Sequence, residues 1–133
     1  MSYTKSEAVH LFNRARDYGL SGYRLLSNAE TVMTECNGIG ADWMPSCMRT
    51  LCTKLNKVME IPAAIHDRRY VLGSTNTDRQ SADSEFFTNC SKIIMHEYAW
   101  WNPWRYIMLR RAMRYTTYLH VFGSVAWEEA KKK

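Results

Sequence analysis

Three side chains in this sequence have the types and spacing for acid–base chemistry: His66, Tyr70 and Asp83. The run Ile61-Pro62-Ala63-Ala64-Ile65-His66-Asp67-Arg68-Arg69-Tyr70 reads as helix, with Pro62 suited to the first helical position and no β-branched run after it. Neighbouring helical residues point about 100° apart, so His66 and Asp67 address different partners. His66 and Tyr70, four apart, share one face, which the small Ala63 extends. Further on, Ser81-Ala82-Asp83-Ser84-Glu85-Phe86-Phe87 sets a carboxylate among small and aromatic residues. If the two helices lie antiparallel, Asp83 faces the His66/Tyr70 side. One imidazole nitrogen then has a carboxylate partner and the other is left to take a proton from water or a nucleophile, the arrangement of a general base, with Tyr70 holding Asp83.

Asp67, on another face, suits a different task. Glu35-Cys36-Asn37-Gly38-Ile39-Gly40-Ala41-Asp42-Trp43-Met44-Pro45 is punctuated as a loop by Gly38, Gly40 and Pro45. Such a loop can turn backbone carbonyls inward as hard oxygen ligands, and with the Asp67 carboxylate they suit Ca²⁺. Plainer roles exist for each residue. His66 would serve as a partly buried histidine bonded to the next turn, and Asp67 as a solvated carboxylate beside Arg68 or Arg69. Gly38 and Gly40 would simply make a turn, and Asp83 would complement the helix dipole as an early-turn acid.

The elements that must carry these residues are helical throughout. Thr4-Lys5-Ser6-Glu7 has capping-box spacing ahead of a stripe of Ala8, Leu11, Phe12 and Ala15 that stops at Gly19. Residues 20–33 read as a second short helix. From Ser46 to Met59 apolar residues recur at intervals of three and four, leading into the His66 helix, which stops at Gly73. Thr77-Asp78-Arg79-Gln80 is expected to open a long helix to about Tyr98, with Ala82, Phe86, Ile93 and Ile94 on its buried side. Asn102 caps and Pro103 begins a last helix that ends before Gly123. No alternating strand or repeat interrupts this pattern, so the fold class is all-α and residues 1–133 form one domain.

With 133 residues, 46% of them hydrophobic, the chain has enough apolar side chains for a core without metal or disulfide staples. The start, Met1 to Glu7, lacks an apolar run after its lysine and no span approaches the length of a membrane helix, so cytoplasmic synthesis is expected. Cys36, Cys47, Cys52 and Cys90 are then expected as reduced thiols, and no histidine stands at zinc-finger spacing. A net charge of +5 favours acidic partners, either phosphate backbones or anionic headgroups.

Taken in order, Cys36-Asn37-Gly38-Ile39-Gly40, Met44-Pro45, His66-Asp67-Arg68-Arg69-Tyr70 and Ala82-Asp83-Ser84-Glu85-Phe86 resemble the phospholipase A2 superfamily, closest to its disulfide-poor phage and bacterial branch. The likeness covers about residues 35–90. It implies a Ca²⁺-dependent hydrolase of the sn-2 ester of phospholipids. His66 would activate water, and Asp83, supported by Tyr70, would orient it. Asp67 with backbone carbonyls of Cys36, Gly38 and Gly40 would hold Ca²⁺, and the Gly38 amide would help to stabilise the oxyanion. Secreted members join by a disulfide the positions held here by Asn37 and Ala63; both cysteines are absent together, as in a reduced protein. Ala41 follows Gly40 where another glycine is usual, and the segment from Pro45 to His66 is longer than usual.

The resemblance implies a phospholipid membrane surface as partner, and Tyr98, Trp100, Trp101, Trp104 and Tyr106 with Arg105, Arg110, Arg111 and Arg114 read as an interfacial anchor in which some of the tryptophans meet the membrane. Helical spacing assigns Trp104, Ile107 and Met108 to the core instead. His10, His96 and His120 read as surface or boundary residues. The rival functions are an idle phospholipase-like fold serving as a virion component or inhibitor with a protein partner, and nucleic-acid binding through the last helix, which ranks last because its arginines interleave with core positions.

Overall fold

The computed structural model describes residues 3–36 and 46–132. Among them are five α-helices and one 3₁₀ turn, with no strand: α1 (Lys5–Tyr18), the turn Tyr23–Leu26, α2 (Ala29–Glu35), α3 (Ser46–Leu72), α4 (Asn76–Glu97) and α5 (Pro103–Lys131). The Asn37–Pro45 loop, and with it Gly38 and Gly40, lies outside the described residues.

Local signals set most helix ends. At α1 the Thr4 hydroxyl accepts from the Glu7 amide at 3.2 Å, while the Glu7 carboxylate accepts from the Thr4 amide at 3.0 Å. Gly19 closes the helix at φ +67°, a left-handed conformation open to glycine at no steric cost. At α5, Asn102 Oδ1 accepts from the Trp104 amide at 3.0 Å and Pro103 is the first helical residue, as its sequence predicts.

Four expected helix boundaries are corrected. The single helix expected over 20–33 is a 3₁₀ turn followed by α2. Gly22 adopts φ +82° with its would-be Cβ 3.0 Å from Ile65 Cγ2, so the chain bends tightly against α3, and Asn28 then caps α2 by accepting from the Glu30 amide at 3.0 Å. Pro62 is not a helix start: α3 runs unbroken through it for 27 residues. A proline inside a helix costs about 3 kcal/mol, and here Ile61, Ala64 and Ile65 around it are buried, so tertiary packing offsets the lost hydrogen bond. The cap of α4 is Thr75 rather than Thr77, because Asp78 accepts from the Ser74 and Thr75 amides at 2.9 and 3.0 Å while Thr75 Oγ1 accepts from the Asp78 amide at 3.1 Å. Finally, α5 continues past Gly123 to Lys131.

One hydrophobic cluster draws on every helix, through Ala8, Val32, Met59, Phe86 and Leu119 among others. Helices α3, α4 and α5 pack on one another, and α1, the 3₁₀ turn and α2 form a second group against α3. Contacts descend along α4 as they ascend along α3. The His66 ring meets Phe86, Arg69 pairs with Glu85, Tyr70 meets Asp83, and Gly73 meets Asp78. On α5 the inward stripe is Met108, Ala112, Tyr115 and Leu119. Trp104 continues that stripe by spacing, yet it and Ile107 are exposed, which corrects their assignment to the core.

Candidate active site: a buried carboxylate between two histidines

The arrangement is built around Asp83, which has no exposed surface. Its Oδ1 lies 2.7 Å from His66 Nε2 and accepts a hydrogen bond from the Tyr70 hydroxyl at 2.6 Å. A carboxylate only accepts, so Nε2 carries the hydrogen and Nδ1 is the basic nitrogen. His66 and Tyr70 are themselves buried, their ring centroids 4.1 Å apart, and Phe86 meets the imidazole edge-on at 5.6 Å. Spacing in α3 explains the pairing of His66 with Tyr70. Only the packing of α4 on α3 brings Asp83 to both.

Burial, and after it the Asp83 charge, push the Tyr70 phenol far above its ordinary value, so it stays protonated and remains a donor. An ionised Asp83 with two donors on one oxygen can fix the tautomer and ring plane of His66 and balance the charge of an imidazolium. The group so formed can accept a proton at Nδ1 and return it.

His120, which reads from sequence as a boundary residue, belongs to this site. Its Nδ1 is 3.2 Å from Asp83 Oδ2. That oxygen is enclosed and makes no well-aligned hydrogen bond, so His120 stands beside it without donating to it. Arg79 Nη2 donates to the His120 carbonyl at 2.9 Å and ties α4 to α5 at this level. The available signal was a small residue beside an imidazole on one helical face, His120 and Gly123, which marks a close approach. A Cβ at Gly123 would stand 2.9 Å from the Tyr70 hydroxyl. The last turns of α5 then cover the phenol, with the Trp127 ring edge-on to Tyr70 at 5.2 Å.

Asp67 is half-buried on a separate face of α3. Arg68 and Arg69, its neighbours, pair instead with Glu35 and Glu85. A residue that sequence reasoning passed over, Tyr3, marks the Asp67 surroundings: burial first, then the charges of Glu60 and Asp67, push its phenol well above the ordinary value. The Cys36 thiol donates to the Ala64 carbonyl at 3.4 Å, one turn before Asp67, so Asp67 and Cys36 share one neighbourhood. With the thiol so engaged, a cation there would be held by oxygen and not by sulfur. Among the described residues, no group of three or more His, Cys, Asp and Glu side chains is disposed to hold a metal, so a cation would depend on backbone oxygens.

A groove of about 810 Å³ runs between α1, α3 and α4, with Leu11, Val58, Ile61 and Ile93 among its apolar lining and Glu60 and Arg14 among its charged residues. It borders α3 fewer than about two turns before His66, and its lining includes none of His66, Tyr70 and Asp83. No family model, curated protein or solved structure matches the chain.

Proposed function

We propose that this protein is a Ca²⁺-dependent phospholipid acyl hydrolase of the phospholipase A2 type, built on α3 and α4 as an antiparallel pair. The observation that carries the reading is the fully buried Asp83, with His66 Nε2 and the Tyr70 hydroxyl both within 2.7 Å of its Oδ1. Burying a carboxylate is costly unless it is paired, and two donors on one oxygen suit an acid kept ionised to serve the imidazole.

In this reading Nδ1 of His66 takes a proton from water as its oxygen attacks the sn-2 carbonyl carbon. The tetrahedral adduct collapses with cleavage of the carbonyl carbon–oxygen bond, and His66 returns the proton to the departing glyceryl oxygen. The products are a fatty acid and a lysophospholipid. Asp83 balances the imidazolium in between, Tyr70 holds Asp83, and the Gly38 amide is the backbone donor for the oxyanion. Asp67 with carbonyls of Cys36, Gly38 and Gly40 would hold Ca²⁺, which when bound would supply positive charge to stabilise the oxyanion. The neighbourhood that Asp67 and Cys36 share beside Ala64 fits this donor set.

Fatty-acid release from mixed anionic phospholipid vesicles, with Ca²⁺ and with chelator, tests the reading. Wild type is expected to release fatty acid only with Ca²⁺, and His66→Gln to reduce the rate by at least about a hundredfold. Release at the wild-type rate from His66→Gln would refute His66 as the base. No release under either condition would favour an idle fold that acts through a protein partner.

A further inference from the structure

We propose that the α4–α5 corner and the outer side of α5 form a docking surface for an anionic phospholipid bilayer. Trp100 and Trp101 are 74% and 68% exposed, and Trp104, Tyr106 and Ile107 are exposed with them. Five large apolar side chains within eight residues is far more than the scattered exposure that needs no explanation. The corner that presents them is ordered by its own hydrogen bonds. The Asn102 amide donates to the Ala99 carbonyl at 2.9 Å, and the Tyr106 hydroxyl to the Trp100 carbonyl at 3.0 Å.

The charged residues that follow the corner have one sign. No aspartate or glutamate occurs between Glu97 and Glu128, while Arg105, Arg110, Arg111 and Arg114 all fall in that interval. Arg111 sits over the Trp104 ring at 5.7 Å, a cation held on an aromatic face. Beyond the corner, Ile107, Arg110, Arg114, Val121 and Val125 follow one another at intervals of three, four and seven, so they lie on one side of α5, and each is exposed. A stripe of aliphatic side chains and arginines, led by tryptophans, complements a plane of hydrocarbon edged with negative headgroups. Nucleic acid would use the arginines and the rings but gains little from the exposed valines and isoleucine. No described helix is long and apolar enough to cross a membrane, so the contact is peripheral.

The inference deepens the hydrolase reading by naming the surface that meets the lipid, and it rests on that reading only for its purpose. The corner lies at the far end of α5 from His120: sixteen residues separate Trp104 from His120, about 24 Å of helix. Its substitutions therefore leave the hydrogen bonds at Asp83 in place.

The test uses the full chain carrying His66→Gln, in chelator, so neither hydrolysis nor Ca²⁺ contributes. Co-sedimentation and tryptophan emission are followed with vesicles of phosphatidylcholine alone and with about 30% phosphatidylglycerol. Binding to the anionic vesicles is expected to be at least about tenfold tighter, with emission shifted to the blue, and to weaken at high salt. Trp100→Ser with Trp101→Ser, and separately Arg110→Glu with Arg114→Glu, are each expected to reduce it by about tenfold or more while the helical circular dichroism is unchanged. The proposal is overturned by equal affinity for both vesicles, by binding to neither, or by binding that both double variants leave intact. Tighter binding to duplex DNA, or a dimer that the tryptophan substitutions dissolve, would also overturn it.

Discussion

The Tyr70 hydroxyl lies against Gly123, where a Cβ would stand only 2.9 Å away. Tyr70 cannot easily yield, because the same oxygen donates to Asp83 at 2.6 Å and the ring is buried between His66 and Trp127. Glycine at position 123 therefore permits α5 to pass over the phenol.

Gly123→Ala tests this approach. Within a helix the change ordinarily stabilises by about 1 kcal/mol. Here overpacking against a rigid ring is expected to reverse the sign, with a net loss of about 1–2 kcal/mol in urea denaturation. A gain in stability would mean that Tyr70 moves aside freely.

Tyr70→Phe removes one of the two donors on Asp83 Oδ1, at an expected cost of about 1–2 kcal/mol near pH 7. The pH dependence follows from the raised phenol, whose first cause is burial and whose second is the Asp83 charge. A folded-state value above the unfolded one stabilises fully below the unfolded value and is lost as pH rises through the folded one. The advantage of wild type over Tyr70→Phe should thus be constant through neutral pH and shrink above about pH 10. Urea midpoints measured from pH 7 to 11 check it, and a gap that stays constant to pH 11 would contradict it.

Asp67→Asn is expected to abolish Ca²⁺ binding while leaving the fold intact, since Asp67 is only half-buried and stands apart from the Asp83 network. Titration calorimetry with circular dichroism separates the two effects. Unchanged binding heat in the variant would remove Asp67 from the cation site.

Local signals in this chain act over the reach of one turn, and those are the features legible in its sequence. The Thr4–Glu7 box, the left-handed Gly19, the Asn102–Pro103 start and the shared face of His66 and Tyr70 each involve residues no more than four apart. The all-α class follows from the same periodicity. Even the misplaced cap of α4 fails by one competition between nearby boxes, which the Asp78 carboxylate decides by taking the Ser74 and Thr75 amides.

Tertiary packing decided everything that spans longer separations. Asp83 is 17 residues from His66 in the chain, and it becomes a fully buried partner because α4 packs there on α3. Tyr3 carries no local signature of where it ends up, and the spacing of His120 and Gly123 marks a close approach without naming Asp83 or Tyr70 as what is approached. Pro62 and Gly123 signal helix breaks in isolation. Both lie inside helices here, because buried surface around the proline and a close approach at the glycine outweigh propensities of about 1–3 kcal/mol per residue. The sequence by itself determined which residues could do the chemistry, and the packing of α3, α4 and α5 determined which of them meet.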